Sequence, residues 1–232
     1  MLFRSYLVKN KSALAEGIDL KSYLGLVALG TIADMGALKG ENRILVRYGL
    51  ENLRNCQRQG LNKLIEMCDI DEKSLSPTTI ALKIAPRLNS LGRIDKPQKG
   101  VELLLLDDEE QAKALVADLE NTNIERQRIE KEMTEDVQNY IDKNPDVLEE
   151  KILVLHSKEW HAGVIPIVTS KLSKQFNRPC LLIASDGKVG KGSLRTIPEF
   201  PLISPLKKFK DLLINFGGHD FAAGLTIEES NI

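Results

Sequence analysis

The sequence predicts an α/β protein in two parts, a helix-rich first part and an α/β second part, joined by one long polar helix. Three observations carry this. Up to residue 106, apolar residues recur at helical spacing with no sustained two-residue alternation. From residue 107 to 145 a single helical period runs on while its apolar content fades after Leu119. Beyond that point short β-rich runs alternate with helical ones, the pattern of a layered α/β unit. The expected boundaries are 1–106, 107–145 and 146–232.

Bulk properties narrow the field. The 232 residues suffice for two small domains with real cores. Lys and Arg number 32 against 33 Asp and Glu, so any site for a polyanion must be local. Cys56, Cys68 and Cys180 are odd in number and form no CxxC pair, which reads as reduced thiols in a cytoplasmic protein. No run approaches the ~20 apolar residues that span a bilayer, so no membrane partner is expected.

In chain order, Met1 to Gly17 shows no clear element and looks like an entry from a preceding segment. Tyr23 to Ala33 is almost wholly apolar, a buried helix or an inner strand, and Asp34 closes it. A carboxylate there is either a turn former or a metal ligand. Glu41 to Asn55 is helical, with Ile44, Leu45, Tyr48 and Leu53 as its apolar face, and Leu61, Leu64, Ile65 and Cys68 mark another short helix. Ser76-Pro77 is a cap followed by proline at the first helical position, for a helix that Pro86 should end. Arg87 to Arg93 then reads as a loop whose two guanidiniums suit a phosphate, although arginines near a helix end are ordinary. Gly100 to Leu106 is a short helix, and Asp107 to Glu110 supply acids at the start of the long one. That helix is a connector, or else a solvated coiled-coil arm, and Asn144-Pro145 stops it.

In the second part, Lys151 to Leu155 and Pro179 to Ala184 read as strands around a helix from Gly163 to Phe176, followed by a Gly/Lys hairpin. Three places there suit an anion. His161 lies where a helix should start and expose free N–H groups, unless it is a structural histidine. Ser193 and Arg195 project to one face of a strand and can grip one phosphate together, unless they sit on an exposed hairpin edge. Gly217, Gly218 and His219 follow an apolar, Lys-rich run, where two glycines can cap a helix or let backbone approach an anion. Together they argue for a site that holds a phosphate backbone. Walker A, GxGxxG, HExxH and RNP-type aromatic motifs are missing.

Read in one collinear order, the phrases Val27 to Asp34 with Glu41-Asn42-Arg43, Pro86 to Arg93, His161 to Val168, Gly192 to Ile197, and Phe216 to His219 with Ala222-Ala223-Gly224 resemble the RecJ-like single-strand-specific exonucleases of the DHH phosphoesterase superfamily. The resemblance implies the C-terminal part of a DHH domain at 1–106, a connector helix at 107–145 and a DHHA1 domain at 146–232. It implies metal-dependent 5′-to-3′ hydrolysis of single-stranded DNA in repair and recombination, with two Mn²⁺ or Mg²⁺ ions. Asp34 would be a catalytic metal ligand. Ser193 and Arg195, helped by Arg87 or Arg93, would hold the 5′-phosphate, with His161, Gly217, Gly218 and His219 along the backbone path. The implied partners are single-stranded DNA and a single-stranded-DNA-binding protein or helicase. Only 33 residues precede Asp34 and none carries the superfamily's Asp-His-His, so the expectation is a middle segment with little activity of its own. An oligonucleotide or cyclic-dinucleotide phosphodiesterase and a non-catalytic DNA-binding scaffold are the alternatives.

Overall fold

The computed structural model describes residues 6, 8–11, 19–56, 58–71, 73–198 and 200–232, so most of the expected entry segment lies outside the described residues. The chain divides into two compact units, Met1–Asn123 and Ile124–Ile232.

In the first unit, helix α1 (Leu24–Ala33) buries Gly25, Ala28, Leu29 and Ile32, a spacing that keeps one face inward over its whole length. Helix α2 (Gly40–Arg54) packs on it through Val46, Gly49, Leu50 and Leu53. A methyl at Gly49 would lie 2.3 Å from the Leu24 carbonyl oxygen and 2.5 Å from the Ala28 Cβ, so this close approach needs a glycine. That contact decides which face is buried, and it corrects the expected one in part: Leu53 is buried as expected, whereas Ile44 and Tyr48 are 52% and 51% exposed.

Helix α3 (Gln59–Met67) packs against α5 (Gln98–Leu105). Between them, Ser76 and Thr79 form a reciprocal capping box, the Thr79 N–H donating to Ser76 Oγ at 3.2 Å and the Ser76 N–H to Thr79 Oγ1 at 2.9 Å. The helix begun at Pro77–Thr79 does not stop at Pro86. It passes through a π turn (Ile80–Ile84), in which the Ala85 N–H donates to the Ile80 carbonyl, into helix α4 (Ala85–Ile94). Proline is tolerated where the hydrogen-bond ladder changes step, because its missing N–H falls among groups without a regular partner. Arg87 to Arg93 is therefore helical, which corrects the expected loop. The core of this unit gathers Leu64, Ile80, Ile84 and Leu103 with Val116 and Leu119 from the first half of α6 (Glu109–Lys143).

Helix α6 is 35 residues long and buries Ala112, Val116, Leu119, Asn123, Arg126, Glu130, Met133, Val137 and Ile141, a stripe repeating every three or four residues. The stripe runs on beyond Leu119, but its middle is polar. In the second unit Arg126 Nη1 donates to Glu130 Oε2 at 2.6 Å, while Lys171 Nζ donates to Glu130 Oε1 at 2.5 Å. The helix ends beside the expected break at Asn144-Pro145, and the two units divide further back within it.

The second unit is a five-stranded mixed sheet in the order β1-β2-β3-β5-β4. Strand β1 (Leu153–Ser157), helix α7 (Ile165–Gln175) and strand β2 (Cys180–Ser185) form a parallel crossover unit. Strand β3 (Val189–Arg195) returns antiparallel through a turn in which Asp186 Oδ1 accepts the Lys188 and Val189 N–H groups, holding its carboxyl below the usual carboxylate range. Helix α8 (Ile203–Lys208) is followed by the antiparallel pair β4 (Leu213–His219) and β5 (Ala222–Glu228). Ile183, Leu194, Ala223, Leu225 and Ile227 meet Leu202 and Leu206 on one face of the sheet, and α7 covers β2 and β3.

This arrangement corrects a third expectation. Gly217 and Gly218 do not cap a helix; they are the last but two and the last but one residues of an edge strand. Leu213 and Phe216 pack on the Leu206 cluster, and pairing with β5 turns an apolar, Lys-rich run into a strand. The three cysteines form no disulfide. Burial pushes the Cys68 thiol up and raises Cys180 to about 11.

Candidate nucleic-acid interface

Five of the twelve residues lining one trough are glycine or serine, and the sheet register explains how they meet. Ser193 pairs with Gly224, which pairs with Gly217; Arg195 pairs with Ala222, which pairs with His219. Partners across antiparallel strands share a face, so these form two adjacent rows on the α7 side of the sheet. Ala162, Ile165 and Pro166 close the wall of a trough of about 270 Å³. Its floor is bare backbone. No atom lies within 4 Å of where a Gly217 Cβ would stand, and the nearest to a Gly224 Cβ is the Gly192 carbonyl oxygen at 3.8 Å.

The expected shared face of Ser193 and Arg195 is present. Ser193 is 4% exposed, and its Oγ accepts from Arg195 Nη1 at 3.1 Å, while the same nitrogen donates to the Leu194 carbonyl at 2.7 Å. A buried hydroxyl thus orients a half-buried guanidinium along the trough. Fixing the fork in advance lowers the entropy lost when it binds an anion. Gly218 has φ +140, and a methyl there would lie 2.3 Å from the Ala222 carbonyl oxygen, so it shapes the hairpin end that carries His219.

The two histidines are organised alike. The Gly163 N–H donates to His161 Nδ1 at 3.1 Å and the Phe221 N–H to His219 Nδ1 at 3.3 Å. Each ring must therefore carry its proton on Nε2, pointing a donor away from the backbone. Free amides at the helix start are not what His161 contributes. The Val164 and Ile165 N–H groups are already spent on the His161 carbonyl, and Pro166 has none. His161 lines a different pocket, of about 400 Å³, with Trp160 and α6 residues; Trp160 Nε1 donates to Asp136 Oδ2 at 2.7 Å.

The first-unit candidates stand apart from one another. Arg87 is committed to Glu120, through Nε at 2.5 Å and Nη2 at 3.1 Å, and its Nη1 donates to the Lys83 carbonyl at 2.7 Å. A bidentate, partly buried pair of this kind staples α4 to α6 rather than offering a cation to a ligand. Arg93 lies six residues on along the same helix, about 240° round its axis, so the two cannot chelate one phosphate. Asp34 caps the C-terminal end of α1 and is exposed. It is a hard oxygen donor suited to Mn²⁺ or Mg²⁺. Among the described residues no group of three or more His, Cys, Asp or Glu is placed to hold a metal ion, so these residues fit one ligand's share of a metal site and not the site.

Lys191 lines the trough two residues before Ser193. The two-residue period that puts Ser193 and Arg195 on one face of the strand reaches it as well, so its place was open to the same local argument.

Comparison with known proteins shows what this chain is similar to. Residues 149–232 match the DHHA1 domain family. The chain is 37% identical over 90% of its length to the single-stranded-DNA-specific exonuclease RecJ of Bacillus subtilis, of which it covers 27%, and 36% identical over 91% to that of Salmonella typhimurium, of which it covers 38%. It thus spans well under half the length of the curated relatives it matches. Among solved structures, RecJ of Thermus thermophilus in complex with Mn²⁺ superposes over 91% of this chain and 31% of that one, with a TM-score of 0.81 at 34% identity. The same protein in complex with Mg²⁺ gives a TM-score of 0.79.

Proposed function

From a chain that is homologous to the RecJ exonucleases over nine-tenths of its length and carries a DHHA1 domain at residues 149–232, we propose a role in single-stranded DNA hydrolysis: the second unit holds the sugar-phosphate backbone and the 5′-phosphate of the strand. The observation that carries this is the trough itself. A buried hydroxyl aims a guanidinium along a floor without side chains, so an anionic backbone can lie against the sheet with its phosphate in the Ser193–Arg195 grip.

Each group has a distinct task. Arg195 supplies charge and two-pronged geometry, Ser193 fixes it, and the backbone of Gly217 and Gly224 leaves room for the sugar. His219, in the Arg195 row, offers its Nε2–H at the hairpin end. His161 contributes an Nε2–H to the neighbouring pocket. Arg87 holds the first unit together, which leaves Arg93 as the arginine of this helix that can help with a phosphate. Divalent ions would supply an activated water and neutralise charge on the scissile phosphate, with Asp34 as one carboxylate toward them. The 5′-to-3′ direction follows if the Ser193–Arg195 grip takes the terminal phosphate. The protein partners implied by resemblance, a single-stranded-DNA-binding protein or a helicase, belong to this reading as well.

Fluorescence anisotropy with three labelled probes tests the assignment: a 5′-phosphorylated single strand, its 5′-hydroxyl counterpart and a blunt duplex. The expected order of affinity is phosphorylated strand, then hydroxyl strand, then duplex. Equal binding of all three, or none, would refute it.

A further inference from the structure

A third row lies beside the two already described. Lys191 pairs with Thr226, which pairs with Asn215, so an ammonium, a hydroxyl and an amide stand side by side across β3, β5 and β4 on the trough face. The burial pattern agrees: Ala223, Leu225 and Ile227 face the core, which leaves Ala222, Gly224 and Thr226 on this side. Lys191 and Asn215 are exposed, and beyond the backbone pairing of the sheet neither side chain, nor the Thr226 hydroxyl, makes a hydrogen bond or ion pair among the described residues.

We propose that this row is a second phosphate subsite, which takes the backbone further along the strand from the phosphate held by Ser193 and Arg195. Resting on the function proposed above, it extends the same trough to residues that the resemblance does not assign. Rows two residues apart along a strand are separated by about 7 Å, so Lys191 stands about 7 Å from the Ser193 row and about 14 Å from the Arg195 row. Those distances are of the order of one and two phosphate steps of an extended nucleic-acid strand. Between the polar rows lies the Ser193–Gly224–Gly217 row, two-thirds bare, where a sugar can rest against the peptide planes. One row beyond Lys191 comes Glu228, paired with Val189 and exposed. Its carboxylate repels a further phosphate and ends the anion-binding strip there. Lys191 makes a point-charge contact, which positions the backbone without reading sequence.

The test compares the full chain with its K191Q and R195Q variants in binding a 5′-phosphorylated deoxymononucleotide and a 5′-phosphorylated oligodeoxythymidylate across a salt series. K191Q should weaken the oligonucleotide several-fold more than the mononucleotide and should lower the salt slope for the oligonucleotide by about 0.7, the share of one phosphate contact on a single strand. R195Q should weaken both probes. If K191Q binds the oligonucleotide with wild-type affinity and slope while R195Q is impaired, the second subsite is overturned and the first stands. If the wild-type chain binds neither probe, both fall.

Discussion

Gly217 and Gly218 are neighbours on one strand, yet the structure gives them opposite reasons to be glycine, and paired alanine substitutions separate the two. At Gly218 the backbone has φ +140, and a Cβ would sit 2.3 Å from the Ala222 carbonyl oxygen and 2.6 Å from the Ala223 Cα. An L-residue held in such a conformation costs about 1–3 kcal/mol. Both obstructing atoms are backbone atoms of the paired strand, so relief requires the β4–β5 ladder to shift, and the total should lie at or above about 2 kcal/mol. For a unit of roughly a hundred residues, that corresponds to a fall in melting temperature of about 8–16 °C. At Gly217 a Cβ meets nothing within 4 Å. Alanine there removes unfolded-chain entropy without a clash, so stability should be unchanged or raised by up to about 1 kcal/mol. Its methyl projects into the trough, so G217A should instead weaken single-strand binding. Thermal denaturation by circular dichroism, with anisotropy on the same samples, measures both. Two variants that melt together, or a G217A protein that melts far below wild type, would refute the division between a glycine the fold requires and one the ligand requires.

Other outcomes follow from the same structure. Glu130→Ala leaves the buried Arg126 without this carboxylate and should cost about 3 kcal/mol or more, whereas Lys171→Ala, whose side chain is half exposed, should cost under about 1 kcal/mol; urea denaturation reads both. Ser193→Ala should erode the preference for a 5′-phosphorylated over a 5′-hydroxyl strand with little change in affinity for the latter, since the hydroxyl acts by orienting Arg195. In the native protein a thiol reagent should label Cys56 first and reach Cys68 and Cys180 only on unfolding, as peptide mapping will show. Cys180 is raised from 9.0 to about 11 in the folded state, so the unfolded chain ionises first. Its contribution is complete below about pH 9 and is lost between about pH 9 and 11, at up to roughly 1.4 kcal/mol per pH unit; Cys180→Ala should flatten that limb of the stability profile.

Much of this protein was legible in local pattern. The long helix followed from a continuous 3.6-residue period, the N-cap at Ser76 from Ser76-Pro77, and the β1–α7–β2 crossover from alternating apolar runs, because each of these depends on residues close in the chain. The shared face of Ser193 and Arg195 was equally local, since a strand places residues two apart on one side. What went astray depended on partners far away in sequence. Pro86 read as a helix stop because the π turn that accommodates it is invisible to periodicity. Arg87 read as a free cation because Glu120, its carboxylate, lies on another helix. Of the two readings of Gly217-Gly218, the helix cap failed because pairing with β5, not local propensity, makes that stretch a strand. By itself, then, the sequence determined the periods, the caps and the motif residues that carry the resemblance to the RecJ exonucleases. Tertiary structure alone decided which charges are consumed by ion pairs and which line the trough. It did so because burial, pairing and register are set by contacts between segments that no local period records.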